Sequence, residues 1–99
     1  MASPRSINVL YFAGAKDASG VTEEIFEIPP GQETIRVPQL IQALSNKHPP
    51  LLKVFEAAIL AVNMEYVDRD GKLTEGEGNR IVEVKAGDEV AIIPPLSGG

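Results

Sequence analysis

The chain has 99 residues, 43% of them hydrophobic and 23% charged, with a formal net charge of -5. That length suits one core rather than two, and that balance belongs to a packed globular protein rather than a disordered one. The acidic field argues against nucleic acid and anionic lipid as partners, and the absence of cysteine excludes disulfides, thiolate metal sites and a cysteine nucleophile.

No apolar leader follows Met1, and no run approaches the roughly 18 apolar residues of a membrane span, so a soluble, cytosolic protein is expected. Ile7 to Phe12, rich in β-branched and aromatic residues, predicts a first strand closed by Ala13-Gly14. Residues 15 to 20 suit one helical turn ended by Gly20, and Glu24 to Ile28 a second strand that could pair with the first. Val37, Leu40, Ile41 and Leu44 fall at i, i+3, i+4 and i+7, which predicts an amphipathic helix with Pro38 in its first turn and Pro49-Pro50 stopping it after His48. Its N-cap is not obvious, since Arg36 and Val37 cap poorly.

Leu51 to Glu56 could add a short turn, and Ile59 to Asn63 a third strand, with a turn and extended chain through Val67. From Asp68 to Asn79 the chain holds three glycines, six charged residues and one large apolar side chain, Leu73, which predicts an exposed loop or loosely held hairpin. Arg80 to Val84 could be a short strand, and Ala86-Gly87-Asp88 turns into a last strand, Glu89 to Ile93. Strands around one substantial helix fit an α+β fold of the β-grasp kind, a mixed sheet packed on one main helix, in a single domain over 1–99 with a flexible tail at 94–99. The pattern alone leaves other small α+β topologies open.

A sheet covered on one side should alternate apolar and polar residues. The first and last strands do not. With Ile7, Val9, Val90 and Ile92 facing the helix, Leu10, Phe12, Ile93 and Tyr66 form an apolar patch on the other face, a surface suited to a protein partner unless the loop after Asp68 or a second helix covers it.

Familiar catalytic constellations are missing. His48 before two prolines reads as a helix-end or solvated side chain, Asp68-Arg69-Asp70-Gly71 as a β-turn rather than a calcium loop, and the scattered glycines form no nucleotide-binding loop. No metal site and no bound cofactor are expected, and the chain alone is not expected to be an enzyme. The distinctive feature is the end, Pro94-Pro95-Leu96-Ser97-Gly98-Gly99. Proline ends ladder pairing after Ile93, and two residues without Cβ can thread a narrow channel and present a carboxyl at Gly99 for activation as an acyl-adenylate. A frayed, functionless terminus is the alternative.

Gly87 to Gly99 resembles the end of molybdopterin synthase small subunits, joined by Val9-Leu10-Tyr11-Phe12-Ala13, Ala61-Val62-Asn63 and Glu65-Tyr66-Val67 in the family's order. The resemblance implies a ubiquitin-like β-grasp sulfur carrier. Gly99 would be adenylated by an E1-like adenylyltransferase and sulfurtransferase using ATP and magnesium, converted to a thiocarboxylate, and inserted with residues 94–98 into the large catalytic subunit. There it would donate sulfur to a cyclic pyranopterin monophosphate in molybdenum cofactor synthesis, within a heterotetramer. Phe12, Tyr66 and Ile93 match the family's docking surface. The chain departs from the family at Lys16-Asp17, where many members have Arg-Glu, and in the length of 68–79. Rival readings are the carrier of thiamine synthesis, a modifier that thiolates tRNA or joins lysines, and an inert β-grasp binding module.

Overall fold

A computed structural model describes residues 5–74 and 80–95. Strand β1 (Ser6–Tyr11) lies at the heart of a five-stranded sheet, where its β-branched residues fill one face. It is followed by helix α1 (Gly14–Ser19), ended by Gly20 in the left-handed conformation, and by β2 (Glu23–Glu27), which runs antiparallel to β1. Then come β3 (Thr34–Arg36), α2 (Val37–Lys47), α3 (Leu51–Phe55), β4 (Ile59–Val62), β5 (Glu65–Val67), β6 (Glu83–Lys85) and β7 (Glu89–Ile93).

The main sheet has the order β2-β1-β7-β4-β5. It is mixed, because β1 and β7 run parallel while the other pairs are antiparallel. Val37, Leu40 and Leu44 of α2 join Ile7, Val9, Val90 and Ile92 in one buried cluster, so the helix covers one face of the sheet. This is the expected α+β, β-grasp architecture.

The structure adds one strand and shifts another. Strand β3 went unforeseen: it has three residues and pairs with β6 through Ile35 opposite Val84, a partner far along the chain. That pairing also moves the expected strand at 80–84 to Glu83–Lys85, leaving Ile81 in an isolated bridge to Lys72. Helix α2 starts directly from β3 at Val37, where Gln39 Oε1 accepts from the Arg36 backbone N–H at 3.4 Å.

The segment after Asp68 is tied down over its described part. Gly71 N–H donates to the Asp68 carbonyl at 3.0 Å, closing the expected turn, and Asp68 Oδ1 accepts from the Asp70 and Lys72 backbone N–H groups. Gly71 has φ +89, and an added Cβ would lie 3.1 Å from the Val82 carbonyl oxygen and 3.3 Å from Val37 Cγ2. The turn therefore packs against the start of α2, and among the described residues nothing covers the opposite face of the sheet. Residues 75–79 of the predicted loop lie outside the described residues.

Candidate functional site: an apolar sheet face at the root of the tail

Because α2 covers one face only, the even-numbered residues of β1 and the odd-numbered residues of β7 project from the other. The ladder aligns Leu10 with Ala91, Ala91 with Ala61, and Ile93 with Ile59. Tyr66 stands opposite Ala61 on β5. Leu10, Phe12, Ala61, Met64, Tyr66, Ala91 and Ile93, with Glu89 at the rim, line a shallow hollow of about 210 Å³. The four residues expected to form a patch, Leu10, Phe12, Tyr66 and Ile93, are thus brought together.

Phe12 and Tyr66 are 47% and 48% exposed, large values for aromatic rings in one cluster. A second hollow of about 250 Å³ adjoins the first through Tyr66 and Ile93 and is lined also by Ala57, Ile59, Pro94 and Pro95. The apolar face therefore runs to the point where the chain leaves the sheet. Strand β7 lies at the centre of the sheet, and Pro94, which has no N–H to donate, ends its pairing. Leu96, Ser97, Gly98 and Gly99 lie outside the described residues.

Sequence reasoning missed Met64, Ile59 and Ala61. Parity along β4 places Ile59 and Ala61 on the outer face once Leu60 and Val62 are assigned to the core, so the signal for those two was present. Met64 depends on the turn joining β4 to β5. Asn63 and Met64 have φ 49 and 72, the paired left-handed residues of a tight hairpin, which carry Met64 out to 87% exposure beside Tyr66. Asn63 also holds the neighbouring turn: its Nδ2 donates to Asp88 Oδ1 at 2.8 Å, and its Oδ1 accepts from the Glu89 N–H at 2.9 Å. The buried Asp88 takes a further bond from the Lys85 N–H at 2.9 Å. The starts of β5 and β7 are thereby locked together.

Two features frame Phe12. The Ala15 N–H donates to the Phe12 carbonyl at 2.9 Å, and Ala13 inside that turn adopts φ 47, ψ -123, a conformation that suits glycine better than alanine. On the inner face His48 stands at the end of α2, one of the two positions expected for it, but it is not solvated. Its Nε2 lies 2.9 Å from Glu24 Oε1, its ring meets Tyr11 edge-on with centroids 6.0 Å apart, and Glu24 also accepts from the Tyr11 hydroxyl and pairs with Lys47 at 2.7 Å. Burial opposes the charge on Glu24, but the bonds from Lys47, Tyr11 and His48 outweigh it and hold the carboxyl below its usual range. Burial first, and then the Glu24 carboxylate, push the Tyr11 hydroxyl well up. This cluster ties β2 to the end of α2 beneath the sheet and is remote from the apolar face.

Among the described residues no three His, Cys, Asp or Glu side chains gather as a metal site, and no helix is long and apolar enough to cross a membrane. The ThiS family model matches residues 9–99. The molybdopterin synthase sulfur carrier subunit of Chlamydomonas reinhardtii is 41% identical over 93 residues, covering 94% of this chain and 98% of that protein. The human protein of the same name is 36% identical over 93 residues, covering 94% and 93%. A solved structure assigned as molybdopterin converting factor subunit 1 of Pyrococcus furiosus superposes with a TM-score of 0.67 at 30% identity, covering 92% of this chain and 98% of that one.

Proposed function

The chain belongs to the ThiS family, and from that premise we propose that it is the sulfur carrier subunit of a molybdopterin synthase, donating sulfur from a thiocarboxylate on Gly99. The observation that carries the reading is the continuity of the apolar face with Pro94 and Pro95, because it joins a protein-docking surface to the root of a glycine-tipped segment. Nearly full-length likeness to carrier subunits supports it.

The partner that docks on Leu10, Phe12, Tyr66 and Ile93 is the large catalytic subunit, and an E1-like adenylyltransferase uses the same face in turn. Four residues follow Pro95, and fully extended they reach at most about 14 Å, enough to enter a partner's pocket while the sheet remains outside. The Gly99 carboxylate attacks the α-phosphorus of ATP, with pyrophosphate leaving and magnesium supplied by the activating enzyme. A sulfur nucleophile then displaces AMP to give the thiocarboxylate. The thiocarboxylate sulfur bonds to a carbon of the pterin precursor as that carbon's bond to oxygen breaks, the oxygen leaving with a proton. Water then cleaves the acyl–sulfur bond, leaving the sulfur on the precursor and returning the carboxylate for another cycle. This chain supplies the donor and holds no cofactor, and the reaction takes place in the partner's active site in the cytosol.

Intact-protein mass spectrometry after incubation with the activating enzyme, ATP, magnesium and a sulfur source tests the reading. Exchange of one oxygen for sulfur, localised to Gly99, is expected. An unchanged mass with competent partners points to an inert module and overturns the proposal, and a lysine-linked adduct assigns the chain to protein modification instead.

A further inference from the structure

We propose that the outer edge of β2 is a docking site for an extended protein segment carrying basic side chains two residues to either side of an apolar one. It stands apart from the sulfur-carrier reading. The main sheet has two edges, β5 and β2. That of β5 is partly covered, by the bridge from Val67 to Leu73 and by the Thr74 N–H donating to the Tyr66 carbonyl at 3.0 Å. Among the described residues nothing pairs with the outer side of β2.

The register says which groups are free. The Tyr11 N–H donates to the Thr22 carbonyl at 2.8 Å, and the Ile28 N–H to the Arg5 carbonyl at 2.9 Å. Pairing alternates along an antiparallel ladder, so Glu24 and Phe26 also turn their backbone groups toward β1. The N–H and C=O groups of Glu23, Ile25 and Glu27 therefore point away from the sheet, and no backbone partner is found for them among the described residues. Their side chains are all exposed, Ile25 to 51%, and share the face that carries Leu10.

Charge selects the occupant. A second copy of this chain pairing antiparallel about Ile25 would set Glu23 against Glu27 twice, and the net charge of -5 adds to that repulsion. Charged edges ordinarily keep sheets apart. Here the guard has one sign and an exposed isoleucine between its charges, so it turns away acidic strands and the chain's own copies but not a basic one. A guest with lysine or arginine opposite Glu23 and Glu27 gains two favourable cross-strand pairs and packs its central apolar residue beside Ile25.

The test is titration of the isotope-labelled full chain, followed by amide NMR, with an acetylated and amidated peptide Thr-Lys-Thr-Val-Thr-Lys-Thr and its counterpart with glutamate for lysine. The lysine peptide should shift the amides of Glu23, Ile25 and Glu27, bind about tenfold more tightly than the glutamate peptide, and lose that advantage in about 1 M salt. A Glu23→Lys/Glu27→Lys chain, altered only at exposed positions, should reverse the preference. The proposal is overturned if the lysine peptide leaves those three amides unmoved at millimolar concentration, if the two peptides bind alike, or if the shifts centre on the Phe12 hollow instead.

Discussion

Replacing Glu24 with glutamine measures how firmly β2 is fastened to the end of α2. In the native chain one carboxylate oxygen accepts from the Tyr11 hydroxyl and from His48 Nε2, and the other faces Lys47 Nζ. Glutamine keeps the shape and one acceptor but turns an NH2 toward a donor. Lys47 is 59% exposed, so its ion pair contributes less than about 1 kcal/mol after solvent screening. Hydrogen bonds to a charged group contribute about 1.5–3 kcal/mol each, and the glutamine oxygen retains roughly half of the contribution from Tyr11 and His48. The expected loss at pH 7 is about 2 kcal/mol, or about 8–16 °C in Tm for a domain of this size.

The pH dependence follows from the sign of the shift. The Glu24 carboxyl is held below its ordinary value of 4.5 in the folded chain, so its contribution is complete above that value and is lost as pH falls through the folded-state value. Urea denaturation of both proteins at a series of pH values therefore shows a gap that is widest near neutrality and closes in acid. Other carboxylates titrate equally in the two proteins and cancel in the difference. A gap that is absent at pH 7, or that persists unchanged to about pH 2, refutes the assignment of Glu24 as a charged anchor.

Phe12→Glu adds a charge to a half-exposed position, so circular dichroism should show a fold melting within a few degrees of the parent while calorimetric binding to the large subunit falls by at least about tenfold. Ala13→Gly relieves a backbone conformation that alanine tolerates poorly and should raise stability by about 1 kcal/mol in urea. Asn63→Ala removes two side-chain hydrogen bonds, one to the buried Asp88, and leaves alanine at φ 49; it should cost about 2–3 kcal/mol, read from the same measurement.

What could be read from the chain beforehand follows the range of the interactions. The helix at Val37–Lys47 was legible because its apolar period is local and Pro38 and Pro49 punctuate it. The outer patch was legible by the same logic at period two: once one helix is available for one face, apolar residues of the other parity in β1 and β7 have nowhere to go but outward. Strand β3 was not legible, since three residues carry no period and their reason to be extended lies in β6. The anchor at Glu24 was hidden too, because a glutamate and a histidine 24 residues apart meet only after β2 and α2 have packed.

That division bears on how a face can be open without being a defect. An exposed apolar patch invites aggregation, and a chain that carried it only for want of a second helix would gain by placing polar residues there. Here the positions around it are fixed by costly local geometry: Ala13 in a turn fit for glycine, Asn63 and Met64 both left-handed, and Asp88 buried to hold the two strand starts in register. Each device sits at the margin of the patch and sets the direction of Phe12 or Tyr66, or the register in which β7 begins. Strained backbone in two separate loops, with a buried carboxylate fixing a third, is better explained by a partner that must fit that surface than by incomplete packing. If Ala13→Gly and Phe12→Glu were to act alike on binding, local geometry and side-chain identity would be serving one interface; a glycine variant that gains stability and binds unchanged removes the turn at Ala13 from that account.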